Sequence, residues 1–165
     1  RCGRACLACP HRPRCAMTLP PGPESPAAHL PPRQTMNSLY DDYVSRYRSG
    51  EWRSTIFCDM LIAELQRIGP GATVVDIGCG SGFDGSAELQ ERIAMHAGTY
   101  IGVEPDPAAV IRPHASVVHR SLFEAAAIET ASVDLAFSVM VVEHVAQPRA
   151  FIEKAADVLK DGGVS

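Results

Sequence analysis

Apolar residues recur at helical spacing in two stretches that follow Met36. The first stretch ends before Gly50, and the second ends at Gly69 and Pro70, two residue types that terminate helices. The pattern therefore predicts two amphipathic helices ahead of the rest of the chain. Their apolar positions are Leu39, Tyr40, Tyr43, Val44 and Tyr47 in the first helix and Ile56, Phe57, Met60, Leu61, Leu65 and Ile68 in the second.

Beyond Pro70 the hydrophobic pattern changes to short apolar runs separated by glycine, proline and polar residues. Short continuous apolar runs are typical of parallel strands that are buried on both faces. The predicted strands span residues 73–78, 99–104, 117–119 and 133–139. Strands that alternate with helices predict an α/β fold with a doubly wound, mainly parallel sheet.

Two further helices are predicted from their terminal residues. Asp106 suits an N-cap and Pro107 suits the first helical position, so a helix is expected after the second strand. Pro148 suits the start of another helix, which Gly162 and Gly163 are expected to stop. The apolar positions of this last helix are Phe151, Ile152, Ala155, Ala156 and Leu159.

The first predicted strand leads directly into a glycine-rich turn, and residues 74–82 read VVDIGCGSG. Gly78, Gly80 and Gly82 permit positive φ angles and let a ligand approach the main chain, so the turn is predicted to bind a nucleotide-like cofactor. A dinucleotide-binding turn of the form GxGxxG has glycine where this chain has Phe83. Phe83 therefore disfavours an NAD-binding oxidoreductase, which stays as an alternative function.

The segment from Asp76 to Gly82 has the form acidic, apolar, G-x-G-x-G, and it resembles the first motif of the class I S-adenosylmethionine-dependent methyltransferases. Residues 132–145, SVDLAFSVMVVEHV, are similar to that family's fourth strand and the turn after it, and residues 160–163, KDGG, match a later turn. The resemblance implies a Rossmann-like fold, S-adenosylmethionine as the cofactor, and methyl transfer to a small-molecule acceptor. The cofactor-binding residues that it implies are Asp76, Gly78, Cys79, Gly80, Gly82, Glu104, Ser121, Leu122 and Ser138.

Glu104 stands at the end of the second predicted strand, 22 residues beyond Gly82. A carboxylate about 20 residues past such a turn accepts hydrogen bonds from ribose hydroxyls. The alternative is that Glu104 only places a favourable negative charge before the helix expected at Asp106. The two roles are compatible.

The third strand and the loop after it, residues 117–123, are expected to lie beneath the adenine, with Leu122 and Phe123 as apolar contacts. Many members of the resembling family carry an aspartate just before that apolar pair, where it accepts the adenine amino group. This chain has Ser121 there, and a hydroxyl is a weaker acceptor that also donates.

The EHV turn that follows the fourth strand supplies the candidate catalytic residue. His144 lies near the expected position of the methyl group, and an imidazole titrates in the range that suits a general base at neutral pH. Glu143 is a second, weaker candidate. The alternative is that the turn caps or packs against the next segment, and methyl transfer needs no base when the acceptor is already deprotonated.

Residues 1–35 differ in composition from the rest of the chain. They hold eight prolines, four cysteines, five arginines and one acidic residue, and they are predicted to form a disordered extension. A second interpretation is an upstream sequence read in frame, with Met36 as the natural start. Metal binding by the extension is not expected, because the cysteine spacing lacks paired CxxC knuckles. These cysteines are Cys2, Cys6, Cys9 and Cys15.

The remaining residues carry ten basic and eighteen acidic side chains. This negative balance argues against a nucleic-acid partner, because phosphate binding needs clustered lysine and arginine. No apolar run is long enough to cross a bilayer, and no signal segment opens the chain, so a cytoplasmic location without a membrane partner is expected.

The predicted domain consists of a helical cap over residues 36–69 and a Rossmann-like core over residues 70–165. The resemblance implies that the cap covers the cofactor, so Tyr40, Tyr43 and Trp52 are candidates for lining the site, and core packing is the alternative. The family's sheet has seven strands, and only four are predicted before Ser165. The sheet is therefore expected to be incomplete at the C-terminus, with the fourth strand as an unpaired edge. A truncated cofactor-binding module without catalysis is a further alternative.

Overall fold

Five parallel strands form one sheet in the computed structural model, which describes residues 36–165. The predictions for residues 1–35, including the disordered extension and the absence of a metal site, lie outside the described residues. The strands are β1 (Thr73–Ile77), β2 (Thr99–Val103), β3 (Val117–His119), β4 (Val133–Ser138) and β5 (Leu159–Val164). The helices are α1 (Met36–Arg48), α2 (Arg53–Ile68), α3 (Ala87–Ala94) and α4 (Pro148–Val158), with two short 3-10 helices at Phe123–Ala125 and Val142–His144.

The strand order is β3-β2-β1-β4-β5, so the chain builds the sheet outward from β1 in one direction and then in the other. Thr73 pairs with Thr99 of β2, and Ile77 pairs with Val103 of β2 and Ser138 of β4. In a doubly wound sheet the crevice where this direction reverses is the usual ligand site. Here the reversal lies at the carboxyl end of β1, and the predicted doubly wound α/β fold is confirmed.

Alternation along β1 sends its side chains to two separate layers of the core. Val75 and Ile77 pack with Phe151 and Val158 of α4 on one face of the sheet. Val74 packs on the other face, where α2 and α3 contribute the layer. The residues of α2 and α3 buried in that layer are Cys58, Leu61, Leu65 and Ile93. Because Asp76 has the same parity as Val74, its carboxylate is directed toward this second layer.

The prediction of four strands with β4 as an unpaired edge is wrong. The segment Leu159–Val164 forms β5 and pairs in parallel with β4, through Val133 with Leu159 and Leu135 with Val164. The register shifts between these two pairs, and Gly162 within the shift has φ 79°. The KDGG segment is therefore an irregular part of a strand, which explains why no strand pattern is visible in it.

The end of α4 also differs from the prediction. The helix stops at Val158, before Gly162 and Gly163, because Leu159 already has the extended backbone that opens β5. Two of the predicted apolar positions, Ile152 and Ala156, are exposed. Burial on this helix is instead confined to Phe151, Ala155 and Val158.

The helix expected to begin at Asp106 and Pro107 is absent from the described connection between β2 and β3. The Asp106 carboxylate accepts a hydrogen bond from the Ala108 N–H at 2.8 Å, which forms a local turn instead of a helix cap. The guanidinium of Arg120 donates to the carbonyls of Asp106 and Ala109 at 2.8 and 3.0 Å. These bonds satisfy main-chain groups that a helix would otherwise have paired.

Within residues 36–165, none of the helices combines the length and the apolar character that crossing a membrane requires.

Candidate functional site

A cavity of about 390 Å³ opens at the carboxyl ends of β1 and β2. Three of the residues predicted to form the site line it, namely Gly78, Leu122 and His144. Most of the other lining residues are apolar, and Glu124 adds a carboxylate. The cavity is therefore an apolar cleft with few polar groups, which is the usual character of a cofactor site. The remaining lining residues are Ile77, Val103, Pro105, Phe123, Ala125, Val141, Val145, Ala146, Gln147 and Phe151.

The glycine turn after β1 requires its glycines for steric reasons. Gly78 has φ 78°, and a Cβ built on it would lie 2.3 Å from the Cγ2 atom of Val141. Gly82 has φ 134°, and a Cβ there would lie 2.7 Å from the main chain of Ser86. Since nonbonded carbon atoms do not approach so closely, any side chain at these two positions would displace the turn or the segments that pack on it.

Glu104 and the glycine turn are brought together as the sequence predicted. One carboxylate oxygen of Glu104 accepts a hydrogen bond from the Gly80 N–H at 3.0 Å. The other oxygen accepts a bond from the Asp106 N–H at 2.9 Å. These two bonds fix the orientation of the carboxylate beside the turn, and each oxygen keeps a lone pair for a further donor.

Asp76 is buried beneath the turn, and its carboxylate is directed away from the cavity. One oxygen accepts hydrogen bonds from the Tyr100 hydroxyl at 2.6 Å and from the Gln90 amide at 2.8 Å. Burial raises the pKa of Asp76, the two hydrogen bonds oppose this rise and the charge of Glu104 adds to it, so that the pKa is about 6. Asp76 therefore supports the turn from below and has no direct access to a ligand in the cavity.

Gln90 and His114 belong to the same network, and neither was predicted. The Gln90 amide nitrogen also donates to the Cys79 carbonyl at 2.9 Å, and its oxygen lies 2.9 Å from Nε2 of His114. Partial burial lowers the pKa of His114. The only sequence signal was a glutamine three residues before Ile93, on the buried side of α3.

Cys79 contributes its main chain to the turn, while its side chain is buried. A Cβ built on Gly102 of β2 would lie 2.7 Å from the Cys79 sulfur, so the thiol fills the space that glycine leaves. Burial raises the pKa of this thiol to about 12. The thiol is therefore a packing group at this position.

The adenine side of the predicted site is only partly assembled. Leu122 is exposed at the cavity, and Phe123 is buried with its ring centroid 5.1 Å from that of Phe151. The hydroxyl oxygen of Ser121 is buried and has no hydrogen-bond partner among the described residues. A buried hydroxyl without a partner is costly, so this oxygen is a candidate for bonding a ligand.

Ser138 is not brought together with the other site residues. It pairs with Ile77 at the end of β4, but it lines a separate cavity of about 410 Å³ between α2 and the β4–β5 side of the sheet.

His144 lies on the 3-10 helix at Val142–His144 and is exposed at the cavity. The chain passes from β4 into this 3-10 helix through Met140, whose φ of 55° is unusual for a residue with a side chain. Glu143 is exposed and does not line the cavity.

The aromatic candidates of the N-terminal helices do not line the cavity. Tyr40 and Tyr43 line a groove between α1 and α2, and Trp52 lines another next to α2. Arg53, at the start of α2, lies 3.6 Å from the Asp84 carboxylate and 3.7 Å from the Met140 sulfur. Among the described residues no group of three or more His, Cys, Asp or Glu side chains is arranged to hold a metal ion.

The doubly wound sheet, the acidic residue before the glycine turn and the acid after β2 define a class I methyltransferase domain. Residues 47–165 match the model of a methyltransferase domain family. The chain belongs to this family, the class I S-adenosylmethionine-dependent methyltransferases.

Named relatives agree with this assignment. The chain is 28% identical over 149 residues to a ubiquinone biosynthesis O-methyltransferase of Dinoroseobacter shibae, which covers 84% of this chain and 54% of the relative. It is 38% identical over 99 residues to an uncharacterized methyltransferase of Mycolicibacterium gilvum, covering 56% of this chain and 37% of that one. The chain thus spans about half the length, or less, of the curated relatives it matches.

A solved structure assigned as a type II methyltransferase of Anaeromyxobacter dehalogenans is also similar. It has a TM-score of 0.50 and 25% sequence identity, over 63% of this chain and 43% of that chain.

The family assignment argues against the NAD-binding alternative, and Phe83 supplies the physical reason. Its ring is 2% exposed and packs with Phe57 and Phe137, at centroid distances of 5.5 and 5.8 Å. A buried aromatic side chain therefore occupies the position where a dinucleotide-binding turn has its third glycine.

Proposed function

We propose that this chain binds S-adenosylmethionine in the cavity at the carboxyl ends of β1 and β2. The observation that carries the proposal is the contact between Glu104 and the Gly80 N–H, at 3.0 Å. It places a fixed carboxylate beside a turn in which positions 78, 80 and 82 are glycines. Glu104 and Gly80 do not line the cavity themselves, but Gly78 and Pro105, which lie close to them in the chain, do. A ribose diol suits such a carboxylate, because each hydroxyl donates to one oxygen.

The geometry of the site supports a proposed role for each of the remaining cofactor-binding residues. Gly78 lines the cavity and faces the methionine part of the cofactor, Gly80 lies beside the Glu104 carboxylate and faces the ribose, and Leu122 offers an apolar surface to the adenine. The buried Ser121 hydroxyl supplies the hydrogen bond to the base. Asp76 and Cys79 act through the shape of the turn, and Ser138 acts only through the end of β4.

We further propose that the whole protein transfers a methyl group to a small-molecule acceptor. Bound S-adenosylmethionine supplies an electrophilic methyl group. The protein's own contribution is to hold the acceptor in line with it and to exclude water, which lowers the barrier by several kcal/mol in such reactions. His144, at the cavity, is the proposed base for an acceptor that keeps its proton.

The choice of a small-molecule acceptor is supported by charge and by similarity. The chain from residue 36 onward is acidic, which disfavours nucleic acid. The Dinoroseobacter shibae relative is named as an O-methyltransferase of ubiquinone biosynthesis. The cytoplasmic location stays a prediction.

Calorimetric titration of the full chain with S-adenosylhomocysteine, and separately with NAD, tests the proposal. We expect micromolar binding of S-adenosylhomocysteine alone and a loss of at least tenfold in Glu104→Ala, since two charge-assisted hydrogen bonds to the ribose are removed. Glu88→Ala is the matched control, because Glu88 is an exposed carboxylate at the start of α3. Binding of NAD, or equal affinity in the two variants, would contradict the proposed site.

A further inference from the structure

Gln90 connects three parts of the molecule that are distant in sequence. From α3 its amide nitrogen reaches the Asp76 carboxylate of β1 at 2.8 Å and the Cys79 carbonyl of the glycine turn at 2.9 Å. Its amide oxygen reaches Nε2 of His114, in the connection between β2 and β3, at 2.9 Å. The side chain is 2% exposed, so these bonds form away from water.

The orientation of the Gln90 amide is determined by its partners. A carboxylate and a main-chain carbonyl accept hydrogen bonds and do not donate them, so both select the NH₂ end of the amide. The oxygen of Gln90 is therefore the acceptor toward His114, and Nε2 of His114 donates. The ring of His114 also meets Tyr100 edge-on, with centroids 5.8 Å apart and an interplanar angle of 88°. His114 is thus held in place from a second side.

The Cys79 carbonyl is the point where this network meets the turn. It accepts the Gly82 N–H at 3.1 Å as well as the Gln90 amide, so one oxygen closes the turn and anchors it to α3. Gly78 and Gly80, the neighbours of Cys79, are the residues whose main chain faces the cofactor in the proposed function. A side chain that does not line the cavity therefore takes part in holding that main chain, together with the Val103 carbonyl, which accepts the Gly78 and Cys79 N–H groups at 2.7 and 3.2 Å.

We propose that Gln90, braced by His114, is a positioning residue for the cofactor-binding turn. The glycines allow the backbone of the turn many conformations, and Gln90 restricts them by fixing the Cys79 carbonyl. A turn already in its binding conformation loses less entropy when the cofactor binds. The consequence for the cofactor rests on the proposed function, while the effect on the turn does not.

Tyr100 provides a matched control for this proposal. Its hydroxyl donates to the same oxygen of Asp76 at 2.6 Å, and it makes no hydrogen bond to the turn. Tyr100→Phe and Gln90→Met each remove a hydrogen bond from Asp76 and leave a side chain of similar volume. Only Gln90→Met also releases the Cys79 carbonyl.

Hydrogen exchange of the Gly82 amide, measured relative to the amides of β1, tests the effect on the turn. We expect exchange about tenfold faster than wild type in Gln90→Met and less than about threefold faster in Tyr100→Phe, because only the first loses the bond to Cys79. Equal acceleration in the two variants would show that Gln90 is only a part of the core, and it would overturn the inference.

Titration with S-adenosylhomocysteine tests the effect on the cofactor. We expect the dissociation constant to rise about tenfold in Gln90→Met and to change by less than about threefold in Tyr100→Phe. If wild type does not bind the probe, the proposed function fails and the exchange measurement still decides the role of Gln90. If wild type and Gln90→Met bind it equally, the inference fails and the proposed function stands.

His114→Phe keeps the test decisive if Gln90→Met does not fold. Phenylalanine preserves the edge-on contact with Tyr100 and removes only the hydrogen bond to the Gln90 oxygen. Exchange of the Gly82 amide about threefold faster than in wild type would support the role of His114 in holding Gln90. Unchanged exchange would contradict it.

Discussion

The carboxylate of Glu104 and the N–H of Gly80, 24 residues apart in the chain, form a hydrogen bond of 3.0 Å. The bond joins the end of β2 to the turn that follows β1. Because the two strands are parallel neighbours, their carboxyl ends lie side by side in the sheet. The chain between Gly80 and Glu104 contains the rest of the turn, α3 and β2. Glu104, the proposed ribose-binding acid, and the glycine turn are therefore parts of one hydrogen-bonded arrangement.

The glycine at position 82 is expected to be required for stability as well as for ligand access. Gly82→Ala places a Cβ 2.7 Å from the Ser86 main chain at a φ of 134°, which strains the backbone and creates a clash. We expect it to lower the free energy of unfolding by about 3 kcal/mol.

Gly85→Ala is the control for this experiment, measured by urea denaturation of both variants. Gly85 also has a positive φ, 81°, but nothing lies within 4 Å of a Cβ there. The loss should be only about 1 kcal/mol, since strain acts without a clash. Equal losses in the two variants would mean that the contact with Ser86 does not matter.

The buried carboxylate of Asp76 is expected to make stability depend on pH. Its pKa is raised to about 6 from an ordinary value of 3.8, so between these values the folded state binds a proton that the unfolded state has lost. Stability from this group therefore rises as pH falls through about 6, and it is lost above that pH. The full effect is at most about 3 kcal/mol.

Urea denaturation of wild type and Asp76→Asn between pH 4.5 and 8, roughly the range on either side of this transition, measures the effect. The pKa values of Asp59 and Asp134 are lowered by their ion pairs, and these groups change stability in the opposite direction in both proteins. The difference in the free energy of unfolding between the two proteins therefore reports on Asp76 alone. As pH falls, the free energy of unfolding of wild type should rise relative to that of the variant. A difference that is constant with pH would refute the raised pKa.

Ser121→Ala is expected to change stability and affinity in opposite directions. Removing a buried hydroxyl without a partner should leave the free energy of unfolding unchanged or raise it by up to about 1 kcal/mol. If the hydroxyl bonds the adenine, the affinity for S-adenosylhomocysteine should fall about fivefold. Thermal denaturation and calorimetric titration of the same sample give both values, and a loss of stability without a loss of affinity would assign Ser121 to the core.

Phe83→Gly completes the GxGxxG pattern and is not expected to create a dinucleotide site. The ring of Phe83 is buried against Phe57 and Phe137, so its removal should cost about 4 kcal/mol of stability or more. Phe83→Leu retains apolar volume and should cost about 1 kcal/mol. Fluorescence titration with NADH checks the binding, and a folded Phe83→Gly protein that binds NADH would contradict this account.

The strands that could be predicted from the sequence are the largely buried β1, β2 and β4 and the short edge strand β3, of which Val117 and Val118 are exposed. The predicted ranges 73–78, 99–104, 117–119 and 133–139 agree with β1 to β4 within one residue at each end. β5 was missed because only Leu159 and Val164 pair with β4, and the KDGG segment between them resembles a turn. The prediction of a helix after Asp106 is wrong because Arg120, which lies 14 residues further along the chain, donates hydrogen bonds to the main-chain carbonyls there.

Some residues of the candidate site could likewise be predicted from the sequence, and others could not. Gly78 and Gly80 belong to a local motif, Glu104 follows it at a characteristic sequence distance, and the structure brings Gly80 and Glu104 into hydrogen-bond contact. The network of Gln90 and His114 has no motif, because it depends on three elements whose relative positions are known only once the sheet has formed. The orientation of Asp76 was implicit in the alternation along β1, since a residue of the same parity as Val74 is directed toward α3.

The central position of β1 has a consequence for the order of events during synthesis. β1 pairs with β2 soon after both have been made, but its second neighbour, β4, begins only at Val133. Until then one edge of β1 has no partner strand in an emerging chain. Val141 and His144, which line the cavity, follow β4 directly. A nascent chain therefore gains the second neighbour of β1 and these lining residues within one short stretch, so the proposed cofactor site forms only after β1, β2 and β3 have been made.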